Sequence, residues 1–168
     1  MHYNDLTPYE YLKTSSEAFG DAPQPLNAGW LEAGHPFPTG GVSEQFLDQL
    51  WKFLRAPVNL TRGFHECDRC SDSTLAYLTV HRGEEEIGMG HAEIWVFGND
   101  NKAYVAPTLI YHYITQHQYL PPEAFIQAVL TAPLPDTPEY DQQCGKFRWG
   151  HRLLRQKALE RRFAQSNQ

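Results

Sequence analysis

Apolar positions recur along this chain at two spacings, and the spacings separate helical stretches from extended ones. Phe46, Leu47, Leu50, Trp51 and Leu54 fall three and four apart, behind Ser43 and ahead of Pro57. That period gathers side chains on one face of a helix, with Ser43 placed to accept from its first free N–H groups and Pro57 unable to extend it. Leu109, Ile110, Tyr113 and Ile114 repeat the spacing behind Pro107, predicting a helix over 107–119 that ends before Pro121-Pro122. Phe125, Ile126, Val129 and Leu130 predict another, closed by Pro133 and Pro135. Near the start, Thr7-Pro8-Tyr9-Glu10 supplies an N-cap, a proline at the first helical position and a capping-box glutamate, so a helix over 8–19 is expected.

Elsewhere the period is two. Leu75, Tyr77 and Thr79 alternate with Ala76, Leu78 and Val80, which predicts a strand over 74–81. Residues 93–97 and 102–105 flank Gly98-Asn99-Asp100-Asn101, the residue types a hairpin turn requires. Residues 20–42 hold Pro23, Pro25, Pro36, Pro38 and five glycines and read as an irregular segment pinned by Trp30 and Phe37. Residues 132–145 read as a polar loop, and 146–164 as a basic helix that packs through Phe147, Leu153, Leu154, Ala158 and Phe163. The fold expected is α+β, a small antiparallel sheet with surrounding helices. It forms a single domain over 1–168, with its core at 29–131.

A length of 168 residues at 41% hydrophobic content suits one such core. No apolar run approaches the roughly 20 residues that cross a bilayer, and the N-terminus lacks the basic flank and apolar stretch of a secretory signal, so a cytoplasmic location is expected. The net charge of −6 hides a division. Residues 144–168 carry seven basic side chains against Glu160, a net of +6, while 1–143 carry seven basic and 19 acidic ones, a net of −12. Such a body repels nucleic acid and attracts a basic protein partner. The acidic run Glu84-Glu85-Glu86, expected on a loop leading into the hairpin, is the candidate contact, with the basic tail helix a second.

Candidate chemistry concentrates at Cys67 and Cys70, spaced C-x2-C, and at His112 and His117 on a predicted helix. Thiolate and imidazole are the ligands zinc takes in tetrahedral sites, and a knuckle plus a helical histidine pair is a recurring solution. Five residues apart, the two histidines sit about 140° apart on an ideal helix, so sharing one ion requires the helix to tighten or fray near His117. His65 is an alternative ligand, joining Cys67, Cys70 and either helical histidine. A site of three protein ligands with an open position would activate water, with Glu66 or Glu93 as general base. A redox C-x-x-C belongs at a helix N-terminus, and here Ser71-Asp72-Ser73 follows. Cys144 reads as a small buried apolar residue.

The string Gly63-Phe64-His65-x-Cys67-x2-Cys70, then Gly90-x-Ala92-Glu93-Ile94-x-Val96, then Tyr104-x-Ala106-Pro107-x-Leu109-Ile110-x-His112-Tyr113-Ile114-x2-His117-x-Tyr119-x-Pro121-Pro122-x2-Phe125-Ile126-x-Ala128-Val129 resembles a small bacterial family with no established function. With Trp30 and Pro36-Phe37-Pro38-x-Gly40, the resemblance spans about 29–131 and leaves out both ends of the chain. It implies a metal site and no enzyme motif. The function expected is therefore a non-catalytic, zinc-stabilised binding protein, specifically an immunity protein neutralising a basic toxin or nuclease. A zinc-dependent hydrolase is the alternative.

Overall fold

A computed structural model describes residues 1–12, 17–70 and 78–166. Its centre is the predicted hairpin. Strand β4 (Glu93–Phe97) pairs antiparallel with β5 (Lys102–Pro107), Trp95 opposite Val105, and all five β4 residues are buried. The connection closes through Gly98 N–H to Lys102 O at 2.9 Å, with Asn101 at φ 58°, a left-handed conformation asparagine tolerates. A third strand, β1 (Gln24–Asn27), runs parallel to β5 on its other side, so this sheet is mixed, in the order β1-β5-β4. The Pro-rich stretch expected to be irregular therefore contains a strand. Pro25 sits in it without an N–H, and the flanking Leu26 and Asn27 are buried.

The expected N-terminal helix over 8–19 is absent among the described residues, and its positions 13–16 lie outside them. Tyr3 bridges Trp30 and Pro8 bridges Leu26, so residues 3–9 lie beside β1, with a turn at Asp5-Leu6 where Leu6 has φ 61°. Three bonds hold them there, Leu6 N–H to Asn27 O, Asn27 N–H to Thr7 O and Tyr9 N–H to Pro25 O. The Asn27 amide also donates to Thr7 and Pro8. Thr7, expected as a helix cap, instead donates its hydroxyl to Asn4 O at 2.6 Å.

Helix α1 (Glu44–Leu54) forms as its pattern predicts, Ser43 Oγ accepting from Phe46 N–H and Phe46, Leu47, Leu50, Trp51 and Leu54 turned inward. A second hairpin joins β2 (Thr79–Arg82) to β3 (Glu85–Gly88) across Gly83 at φ 61°. The predicted strand over 74–81 is met from Thr79 onward, and its positions 74–77 lie outside the described residues. The acidic run is not all loop, since Glu85 and Glu86 belong to β3.

Helix α2 (Ile110–His117) begins later than expected because Pro107 ends β5 and Thr108 N–H donates to Ala92 O. Helix α3 (Glu123–Thr131) follows. The expected loop 132–145 contains α4 (Pro138–Cys144), capped by Thr137 with proline at its first turn, and α5 (Arg148–Ser166) carries the basic tail. Trp95 is the hub joining sheet and C-terminus, 4.9 Å from each of the Phe147 and Trp149 rings. Among the described residues no helix is long and apolar enough to cross a membrane.

Candidate metal centre

The knuckle is anchored at both ends of its approach. Residues 58–65 run beside the start of β4, with Val58 and Glu93 exchanging both backbone bonds, Thr61 N–H reaching His91 O and His65 N–H reaching Gly90 O at 2.6 Å. The two residues between the cysteines tie it to segment 32–37. Asp68 accepts from Ala33 N–H at 2.9 Å, and Arg69 donates to the carbonyls of Glu32 and His35 while lying over the Phe37 ring at 4.5 Å. No local pattern marked Asp68 and Arg69, because their partners lie more than thirty residues away.

The two histidines meet at the end of α2, with His117 as its last helical residue. Helix α2 ends at His117 because Gln118 turns left-handed at φ 55°, its N–H bonding back to Tyr113 O. Nε2 of His117 then lies 3.2 Å from Nε2 of His112 and 3.2 Å from Sγ of Cys67. Sγ of Cys70 lies 3.2 Å from the His112 nitrogen and 3.5 Å from that of His117. All four donor atoms fall within 4.8 Å of one another. Ligand bonds of about 2.3 Å to sulfur and 2.0–2.1 Å to nitrogen give a tetrahedron with edges of roughly 3.3–3.8 Å, so the set has nearly the dimensions of a four-coordinate ion.

The protonation chemistry agrees with that fit. His112 is 4% exposed, and burial, aided by the neighbouring His117, pushes its pKa down to about 4. Burial lowers His117 as well, with Arg69 adding to the effect. Both rings are thus neutral near pH 7 with a lone pair to give. Burial raises the Cys67 thiol, the reverse of what activates a redox cysteine, whereas a bound cation would displace its proton. These four residues could hold a metal ion.

The other sequence candidates are not gathered here. His65 is exposed, stands outside the four-residue group and is held by its backbone. Glu66 is exposed and lines a groove of about 670 Å³ that runs beside Cys67, Cys70 and His112. Glu93 lines a different cavity. Glu84, Glu85 and Glu86 are exposed, Glu85 accepting from Trp51 Nε1 at 2.6 Å and lying 3.6 Å from Arg55. Cys144 is fully buried, as expected.

A family model matches residues 1–130. The chain belongs to the family described as Domain of unknown function (DUF7919). The DUF7919 region includes the N-terminal segment that the motif resemblance left out, and it includes all four donors. It stops within α3, so α4 and α5 lie beyond it. No curated protein and no solved structure matches the chain.

Proposed function

We propose that the four donors hold a zinc ion in a closed structural site, and that the protein is a non-catalytic binder of another protein. The specific reading is a cytoplasmic bacterial immunity protein that neutralises a toxin by covering its active site. The observation that carries this is the completeness of the donor set. Cys67, Cys70, His112 and His117 make four protein ligands, which leaves an ion no open position for water. Two soft sulfurs beside two imidazoles favour zinc over the hard, oxygen-preferring cations.

A closed site braces and does no chemistry, so function falls to the surface it braces. The −12 balance of residues 1–143 suits a partner whose own site is positive, as a nuclease groove is, and opposite fields speed capture. Exposed Glu84, at the bend between β2 and β3, and Glu85 and Glu86, at the start of β3, are the proposed contacts. Glu85 is already oriented by Trp51, which lowers the ordering cost of binding.

One observation favours the alternative, a zinc-dependent hydrolase: the groove beside the donors contains Glu66, a carboxylate able to serve as base if one ligand gave way. A pull-down from the native host, followed by co-expression with the basic nuclease recovered, tests the leading reading. Capture of such a nuclease, rescue of growth and loss of rescue in a Glu84→Lys/Glu85→Lys/Glu86→Lys variant are expected. Failure to bind or protect removes the immunity assignment.

A further inference from the structure

A second cavity, of about 320 Å³, lies between residues 59–65, the approach to β4 and the N-terminal segment. Its lining includes Tyr11, Trp30, Phe64, Tyr113, His91 and Glu93. Glu93 is only 2% exposed. One carboxylate oxygen accepts from the Tyr9 hydroxyl, and the other from the Asn59 amide at 2.9 Å and the Trp95 indole at 3.3 Å. Every one of these donors is neutral, and among the described residues no lysine or arginine is paired with Glu93.

A buried carboxylate without an opposite charge is costly, and it is rarely kept without a use. A carboxylate offers about four acceptor sites, so three donors leave Glu93 one more to fill, on the oxygen that Tyr9 shares. His91 lines the cavity beside it. Four aromatic side chains, Tyr11, Trp30, Phe64 and Tyr113, stand among the other lining residues and offer the ring faces over which organic cations are held.

We propose that this cavity binds a small organic ammonium ion, its charge against Glu93 and its carbon substituents against Tyr11, Trp30, Phe64 and Tyr113. One ammonium N–H completes the fourth acceptor site of Glu93. Anions are excluded by the buried carboxylate, and neutral ligands leave it uncompensated. The volume sits at the low end of the roughly 300–1,000 Å³ of ligand pockets, which fits an amine of one ring or a short chain. The cavity adjoins the metal centre through Tyr113, whose ring is 6.4 Å from that of His117, but the proposal rests neither on a bound metal nor on the protein-binding surface.

Calorimetric titration of the full chain with benzylamine, its neutral analogue benzyl alcohol and the anion benzoate tests the proposal. Benzylamine should bind saturably with a Kd on the order of 1 mM or tighter, the alcohol about tenfold more weakly, and benzoate not at all. In E93Q the preference of amine over alcohol should vanish. Phe64 is 43% exposed at the rim, and Phe64→Ala should weaken benzylamine while keeping the preference. Should E93Q fail to fold, the wild-type comparison and Phe64→Ala still decide. Equal binding of amine and alcohol, no binding of either, or an amine preference that survives in folded E93Q overturns the proposal.

Discussion

The Tyr119 hydroxyl donates to Asp5, at 2.9 Å from each carboxylate oxygen, and so joins two positions 114 residues apart. Gly29 N–H adds a third contact to the same carboxylate, whose pKa burial still raises. Tyr119 lies two residues beyond His117, so the N-terminal segment fixes the end of α2 where the donors converge. Tyr119→Phe should cost about 1–3 kcal/mol in urea unfolding, because it strips a donor from a partly buried carboxylate. It should also weaken metal retention against a chelator.

Protein purified without added metal should contain about one zinc per chain by elemental analysis, in line with four-ligand structural sites. Cys67→Ser and His117→Ala should abolish it and lower the melting temperature, while His65→Ala leaves metal content unchanged. Full native stability with no metal bound would remove the structural role.

Gly90 makes the close approach of the knuckle to β4 feasible. Its φ is 83°, and a Cβ there would stand 2.2 Å from the His65 carbonyl oxygen. Gly90→Ala should therefore cost more than about 2 kcal/mol, combining left-handed strain with a backbone collision. Displacement of residue 65 should carry Cys67 with it, so metal affinity should fall in the same variant.

Acid should destabilise the metal-free protein through His112. Its pKa is near 6.5 unfolded and about 4 folded, so between those values the unfolded chain binds more protons. Stability from this group is complete above about pH 6.5 and declines toward pH 4, with a slope of up to ~1.4 kcal/mol per pH unit. Protons also compete with metal for the same nitrogen, so acid should release metal over that range. Denaturant midpoints in chelator across this window, compared between wild type and His112→Gln, check the assignment.

The contrast between two nearly identical signals shows what the sequence conveys. Thr7-Pro8-Tyr9-Glu10 is the stronger helix start, yet it lies extended, because β1 offers backbone partners and Tyr9 is drawn to Glu93. Thr137-Pro138-Glu139-Tyr140 starts α4, with Thr137 Oγ1 accepting from Tyr140 N–H. A neighbouring strand decides between them, and no local window contains it. The β4–β5 hairpin was legible because its turn residues lie between the strands they join. Parallel β1 was not, since its partner lies nearly eighty residues away. The four donors could be named from their spacing, whereas their convergence depends on the contacts that tie the knuckle to segment 32–37 and to residues 90–93, which no local window contains. Glu93 was visible as a carboxylate, but its isolation from cations is a property of packing.

The donors also bear on the chain before it folds. Cys70 and His112 are 42 positions apart, so an ion holding both closes the intervening chain into a ring. That ring encloses β2, β3, β4 and β5, which is both hairpins and the hub residue Trp95. In polymer terms a closure of this length removes about 4 kcal/mol of conformational freedom from the unfolded state, as a disulfide would. The metal group would thereby act as a reversible cross-link around the sheet, and a chelator would cut it without breaking a covalent bond.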